Sequence, residues 1–299
     1  MMLHHSTCPV CSGSDLRVFH SCTDNLVTGT VFELLRCNTC GFILTQDAPG
    51  EEDIARYYES PGYISHSDTR RTMVDKIYQV ARNIMLSRKT KMVSRECAIN
   101  RGEILDVGSG TGHFLYFMKN AGWNVTGIEI NQGAREYSER NFGLSVFPPE
   151  HLKTFSSSRF DCITLWHVLE HLYDPVNYFG EIRRVLKPGG TVIVALPNSN
   201  SYDARHFEKY WAAWDVPRHL WHFNPLTFKL FAQKSGFKII SETVLPFDVF
   251  YISVLSERAA KKSAGMLTGM MWGMIFWFIS LFAKKRASSL AYILRVPSH

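Results

Sequence analysis

Short apolar runs alternate with helix-like segments along the second half of the chain. The runs EILDV, NVTGIEI, LSVFP, DCITLW and TVIVAL, which begin at Glu103, are separated by stretches in which apolar residues recur every three or four positions. Strands that alternate with helices are typical of a parallel sheet covered by helices. Two later runs, KIISETVL and SLAYILR, predict further strands. The pattern therefore predicts an α/β domain.

Four cysteines near the start form two C-x2-C pairs, Cys8 with Cys11 and Cys37 with Cys40. The second pair separates the apolar runs VFELLR and GFILT, so it is expected at the turn of a β-hairpin. Two such knuckles fit one tetrahedral zinc ion with a structural role, because four protein ligands leave no open position. Residues 1–48 are therefore predicted to be a zinc-ribbon-like segment. The alternative is chance pairing of buried cysteines.

Residues 49–101 carry one short and one long helix-like pattern, which predict a helical linker or lid before a main domain over residues 102–299. With 45% hydrophobic and 20% charged residues, the composition is that of a globular protein. The first residues lack the pattern of a signal peptide, so we expect a cytoplasmic location in which thiols stay reduced. The sequence does not indicate an oligomeric state.

The longest uncharged run, Ala264 to Ala283, is long enough for a membrane-spanning helix. The net charge is +6, and basic residues flank this run at both ends: Arg258, Lys261, Lys262, Lys284, Lys285 and Arg286. Because the positive excess is local, it argues against a nucleic-acid-binding face and for an anionic membrane surface as a partner.

Three glycines in the uncharged run, Gly265, Gly269 and Gly273, repeat at four-residue intervals, as in closely packed membrane helices. A single span would carry the predicted strand SLAYILR away from its sheet. We therefore expect a re-entrant or interfacial helical hairpin, broken near Gly269 to Gly273, at the cytoplasmic membrane face. The alternative is a buried hairpin of helices in a soluble fold.

The segment EILDVGSGTGHFL predicts a strand, a glycine-rich turn and a helix. Its glycines, Gly108, Gly110 and Gly112, allow the backbone to approach a ligand closely. Glu129 follows the next strand, where a carboxylate can accept hydrogen bonds from both ribose hydroxyls. Together these features predict an adenosine site. A nicotinamide oxidoreductase would use G-x-G-x-x-G, whereas His113 stands where the last of those glycines belongs.

The motifs LDVGSGTG, GIEIN, FDCITLWHVLEHL and LKPGG resemble those of class I S-adenosylmethionine-dependent methyltransferases. The chain is most similar to the branch called methyltransferase type 23, in which a cysteine-knuckle ribbon often precedes the catalytic domain. The resemblance covers roughly residue 57 to the C-terminus. It implies a Rossmann-like, seven-stranded sheet with helices on both faces and an antiparallel last strand. The uncharged run from Ala264 to Ala283 would then be an apolar helical insertion before that strand.

The same resemblance implies that S-adenosylmethionine is the cofactor and that a methyl group is transferred to an oxygen or carbon of a small or lipid-like acceptor. It assigns cofactor contacts to the glycine loop and to residues at neighbouring strand ends: Asp106, Gly108, Gly110, Gly112, Glu129, Ile130 and Trp166. A non-catalytic alternative is a zinc-ribbon protein that binds a nucleoside as a scaffold or sensor.

HVLEH follows the run DCITLW and matches the H-x-x-E-H pattern of a group of zinc peptidases. In the methyltransferase fold this stretch instead borders the methyl donor, with Glu170 and His171 expected on the first turn of the next helix. His167, His171 and His219 are the candidate catalytic residues, because a histidine can take a hydroxyl proton near neutral pH. Whether this stretch also holds a metal ion is left open by the sequence.

Overall fold

The N-terminal part of the molecule is a small antiparallel sheet. The computed structural model describes residues 2–58, 73–260 and 265–297. Its first strands are β1 (Met2–Leu3), β2 (Leu16–Thr23), β3 (Val31–Cys37), β4 (Ile43–Thr45) and β5 (Ala48–Pro49). Strands β2, β3 and β4 are paired antiparallel, and β1 pairs with β5. The second cysteine pair lies at the turn between β3 and β4, as the sequence predicted.

A long helix leads into the main sheet, which begins with five parallel strands. The elements are α1 (Met73–Cys97), β6 (Glu103–Val107), α2 (His113–Asn120), β7 (Asn124–Ile128), α3 (Gln132–Phe142), β8 (Val146–Phe147), β9 (Phe160–Trp166), α4 (Pro175–Val185) and β10 (Leu186–Pro197). The predicted strands are all present. The KPGG stretch of the LKPGG motif lies within β10 at an irregularity in its pairing with β9.

The C-terminal part completes the sheet. It contains α5 (Tyr202–Phe207), β11 (Trp221–His222), α6 (Pro225–Lys234), β12 (Lys238–Val244), α7 (Asp248–Ala259), α8 (Gly265–Phe282) and β13 (Ser289–Arg295). The seven strands are ordered β12-β13-β10-β9-β6-β7-β8, and β13 is antiparallel to both of its neighbours. The expected seven-stranded sheet with an antiparallel last strand is confirmed.

The centre of the main sheet is buried on both faces. Ile163 and Leu165 of β9 and Val192 and Val194 of β10 have no exposed surface, and neither does the polar Thr164 between them. Strands covered by helices on both sides need such continuous apolar sequences. The strand ends are thereby fixed at one edge, where parallel strands of an α/β sheet place their ligands.

The N-terminal sheet is joined to the main domain by hydrogen bonds and a buried ion pair. Strand β11 pairs antiparallel with β4, so residues from both parts of the chain form one four-stranded sheet. Nearby, Arg218 donates to Asp24 at 3.0 Å and to Asp215 at 2.6 Å. Arg218 and Asp24 are both almost completely buried. Removing one partner of such a pair would leave an uncompensated buried charge.

Helix α8 is continuous, so the expected break near Gly269 to Gly273 is wrong. A hairpin does exist, but α7 forms its other arm. Gly269 lies so close to α7 that an added Cβ would be 2.5 Å from the Cα of Val254, and Gly273 is similarly close to Phe250. The glycine repeat therefore allows two helices of the same chain to pack closely. Ala264 lies outside the described residues.

This packing predicts opposite effects for the same substitution at two helical glycines. Gly269→Ala should lower the free energy of unfolding by about 1–3 kcal/mol, because the new methyl group forces α8 away from α7. Gly180→Ala in α4 should raise it by about 0.5–1 kcal/mol, since a Cβ there meets no atom within 4 Å. Denaturant unfolding followed by circular dichroism measures both. Equal stability of the two variants would contradict close packing of α7 and α8.

Candidate functional site

The glycine loop follows β6 and has a left-handed backbone at each of its glycines. The φ angles are 69° at Gly108, 54° at Gly110 and 78° at Gly112. A Cβ on Gly108 would lie 2.4 Å from Cγ2 of Val168, whereas a Cβ on Gly110 would meet nothing within 4 Å. The loop therefore packs against the turn after β9 at Gly108 and leaves room for a ligand at Gly110.

Glu129 lies beside this loop, just after the end of β7. One carboxylate oxygen accepts a hydrogen bond from the Gly110 amide at 2.8 Å, and the other accepts one from the Asn131 amide at 2.8 Å. The adjacent Ile130 is 73% exposed. A carboxylate and an apolar surface therefore stand together at the edge of the glycine loop, which suits a ribose and an adenine ring.

A buried charge cluster lies under the loop. Asp106 accepts a hydrogen bond from Thr164 Oγ1 at 2.6 Å. Burial raises the pKa of Asp106 to about 7, although the Thr164 bond and the charge of Lys89 oppose the shift. Lys89 reaches in from α1 with its Nζ 4.3 Å from the centre of the Trp166 ring. Burial lowers the pKa of Lys89, and the charges of Asp248 and Asp106 counteract it.

HVLEH lies in a turn and not in an α-helix. After β9 ends at Trp166, His167 has a left-handed backbone with a φ of 59°, and a short 3-10 turn follows over Leu169–His171. Helix α4 begins only at Pro175, capped by the Asp174 side chain. The expectation that Glu170 and His171 lie on the first turn of the next helix is therefore wrong. A helical peptidase motif is also ruled out by this backbone.

His167 lies between two carboxylates. Its Nε2 is 2.9 Å from Asp248 Oδ2, and its Nδ1 is 3.5 Å from Glu170 Oε1. Burial disfavours the charged ring, but Asp248 and Glu170 outweigh that effect and raise the pKa of His167 to about 9. His167 is therefore a cation at neutral pH, and a cationic imidazole cannot accept a proton from a substrate.

His171 and His219 each lie beside a backbone carbonyl oxygen. His171 Nδ1 is 2.9 Å from the Arg218 carbonyl oxygen, and His219 Nδ1 is 2.9 Å from the Ala213 carbonyl oxygen. Because a carbonyl oxygen only accepts, Nδ1 of each ring carries a proton. Burial and the neighbouring His219 lower the pKa of His171 to about 4. His171 is therefore neutral at physiological pH.

The four cysteines of the ribbon converge on one point. Their Sγ atoms all lie within 4.8 Å of one another, with 3.6 Å between Cys8 and Cys40 and between Cys11 and Cys37. Burial opposes ionisation of Cys37, but hydrogen bonds from the backbone of Cys40 and Thr39 lower its pKa to about 7. This geometry fits a tetrahedral thiolate site.

A family model described as a methyltransferase domain matches residues 78–242, which is more than half of the 299-residue chain. The chain belongs to this methyltransferase family. The match includes the glycine loop, Glu129, HVLEH and His219 but excludes the ribbon, α7, α8 and β13. The resemblance read from the motifs is confirmed.

Two relatives share the name ubiquinone biosynthesis O-methyltransferase. The protein from Alkalilimnicola ehrlichii is 34% identical over 104 residues, and that from Pseudomonas aeruginosa is 30% identical over 105 residues. These matches cover 32% and 33% of this chain but only 42% and 45% of the relatives. The chain thus aligns with less than half the length of either relative.

Among solved structures, an enzyme assigned as a sarcosine dimethylglycine methyltransferase from Galdieria sulphuraria matches with a TM-score of 0.50 and 16% identity. The match covers 74% of this chain and 87% of that one. At this level of identity the similarity shows the fold alone. It agrees with the seven-stranded sheet described above.

Two residues of the site were not found from the sequence. Asp248 follows β12 at the same sheet edge as the glycine loop, so its position after a predicted strand was a usable signal. Lys89 carried no such signal, because it is one of several basic residues on α1 and only the packing of that helix brings it to Trp166.

Two histidines lie in HVLEH and two in the stretch PRHLWHF, residues 217–223. Of these four, His222 lies apart from the other three and is hydrogen-bonded to Thr45 at 3.0 Å.

Proposed function

We propose that the protein is an S-adenosylmethionine-dependent methyltransferase acting on a hydroxyl oxygen of a small or lipid-like acceptor. The strongest support is the glycine loop that closes on Val168 and opens at Gly110 beside Glu129, in a chain that belongs to a methyltransferase family. The names of the two relatives favour oxygen over carbon as the atom that receives the methyl group.

The residues of this chain fit the cofactor. Glu129 is placed to exchange its present backbone hydrogen bonds for those of the two ribose hydroxyls, and Ile130 offers an exposed apolar side chain to the adenine. Asp106 and Trp166 lie below the loop, on the side of the methionine moiety. His113, at the start of α2, packs against Phe142 with 5.0 Å between ring centres, which leaves no glycine where a dinucleotide-binding loop would have its last one.

Methyl transfer breaks the bond between carbon and the sulfonium sulfur, whose electron pair stays on sulfur, and forms a bond from carbon to the acceptor oxygen. Positioning and exclusion of water supply much of the acceleration in such a displacement. His167, His171 and His219 lie on the acceptor side with divided roles. His167 is held as a cation by Asp248, whereas the ring of His171 is neutral. His171 and His219 each donate from Nδ1 to a backbone carbonyl oxygen.

A binding measurement tests the cofactor site. Glu129→Gln should weaken binding of S-adenosylmethionine by about 1.5–3 kcal/mol, because a charge-assisted contact to the ribose is lost. Glu136→Gln on the exposed face of α3 is the matched control and should bind normally. Calorimetry with each protein measures both affinities. Preferential binding of NAD, or an unchanged affinity of the Glu129 variant, would contradict the proposal. Turnover is measured separately, as the transfer of a labelled methyl group from S-adenosylmethionine to a component of a cell extract.

We also propose that Cys8, Cys11, Cys37 and Cys40 hold a structural zinc ion. The close Sγ distances and the hairpin position of Cys37 and Cys40 support this. Protein purified without chelator should contain zinc that Cys37→Ser largely loses, as measured by elemental analysis. Cys22→Ser is the control, because Cys22 is buried in β2 away from the cluster and should not alter the zinc content. Full retention of zinc by Cys37→Ser would contradict the site.

Helix α8 is the basis of a proposed membrane contact. Its length and apolar composition would suffice for a crossing, but only 28% of it is buried and its end leads directly to β13 in the main sheet. Apolar side chains such as Leu267, 77% exposed, and Phe282, 79% exposed, are followed by Lys284, Lys285 and Arg286. An apolar face next to basic residues suits the surface of an anionic bilayer.

Vesicle flotation tests this contact. The protein should float with vesicles that contain anionic lipid, and Leu267→Gln together with Phe282→Gln should reduce the bound fraction, because the inserted apolar area is lost. Leu226→Gln is the control, since Leu226 is 60% exposed at the start of α6. Equal flotation of both variants, or none for the unmodified protein, would contradict attachment through α8.

A further inference from the structure

Glu170 carries a carboxylate that is buried in the turn after β9. Its residue is 1% exposed, and none of the described residues donates a hydrogen bond to either carboxylate oxygen. The ion pair with His167 is long, at 3.5 Å. Burying a carboxylate without hydrogen bonds is costly, so such a group is usually paired closely or bound to a metal.

Two imidazoles stand beside this carboxylate. Ligand atoms of Glu170, His171 and His219 all lie within 4.8 Å of one another. Zinc binds histidine nitrogen and carboxylate oxygen at about 2.0–2.2 Å, so one ion fits between such atoms after small side-chain adjustments. The ring centres of His171 and His219 are 4.6 Å apart, and the two rings are nearly perpendicular.

The hydrogen bonds of both rings suit metal binding. Each Nδ1 donates to a backbone carbonyl oxygen, that of Arg218 for His171 and that of Ala213 for His219. Metal-binding histidines usually donate their second ring N–H in this way, which fixes the ring and directs the remaining lone pair to the ion. The carbonyl groups lie in the segment around Asp215, whose Oδ2 is 3.8 Å from His219 Nε2.

We propose that Glu170, His171 and His219 bind a divalent transition-metal ion of the zinc and cobalt class, at a site distinct from the four cysteines. Two imidazoles favour such ions over magnesium, which prefers oxygen ligands. Two histidines and one glutamate leave an open coordination position, as in catalytic zinc sites. Resting on the function proposed above, this open position binds the acceptor oxygen.

The turn that carries Glu170 also touches the donor site. The side chain of Val168, two residues before Glu170, packs on Gly108 of the glycine loop. An acceptor hydroxyl bound to the ion becomes more acidic and releases its proton to water. The oxygen then attacks the methyl carbon, and the electron pair of the broken bond goes to sulfur. His171 and His219 thus act as ligands, and no side chain must take the proton.

Cobalt titration of the full-length protein tests the site without requiring turnover. With the cysteine site already filled with zinc, added Co²⁺ should bind with one further equivalent and give weak visible bands without the intense thiolate absorption of a cysteine site. Glu170→Gln and His171→Ala should weaken this binding about 100-fold or more. His151→Gln, which alters a histidine outside the cluster, should bind Co²⁺ normally.

Cofactor binding by Glu170→Gln shows whether that variant is folded, because Glu170 is not among the residues proposed to contact the nucleoside. A folded Glu170 variant that binds Co²⁺ as tightly as the unmodified protein would overturn the metal site, as would absence of a second equivalent in the unmodified protein. Methyl transfer by a protein without this site would refute the metal and leave the proposed function intact. Metal binding without any methyl transfer would support the metal site and refute the proposed methyltransferase function.

Discussion

The contact between Gly108 and Val168 is the constraint on which the site depends. Any side chain at Gly108 would overlap the valine, so the backbone of the glycine loop can approach the turn after β9 at this point only as glycine. This approach brings two strand ends together, one with the proposed nucleoside contacts and one with HVLEH. His167, in the same turn, has a left-handed backbone.

Opposite charges alternate from one side of the site to the other. Lys89 interacts with Asp106 and Asp248, Asp248 pairs with His167, and His167 faces Glu170. The two carboxylates beside His167 raise its pKa although burial opposes the charged ring. The neutral ring of His171 lies at the end of this series, next to Glu170. HVLEH therefore contains one histidine that is charged at neutral pH and one that is neutral.

The sheet and the cysteine cluster could be predicted because their signals are local. Apolar runs of strand length mark each buried strand, and the C-x2-C pairs stand where the hairpin turns. HVLEH could not be predicted in the same way, because its spacing of three and four also fits a helix. Asp174 and Pro175 mark the true start of α4, but only the contact with Gly108 explains why the preceding residues turn. The sequence also did not predict that the glycine repeat of α8 packs against α7, because that contact depends on how the two helices pack together.

The sheet shared by β4 and β11 brings the ribbon to the segment that carries His219. Thr45, at the end of β4, donates its hydroxyl to the His219 carbonyl oxygen at 2.6 Å and also meets His222. The segment that carries His219 is thus attached to the ribbon as well as to the main domain. The cysteines, far from HVLEH in sequence, lie in the same small domain that supports this segment.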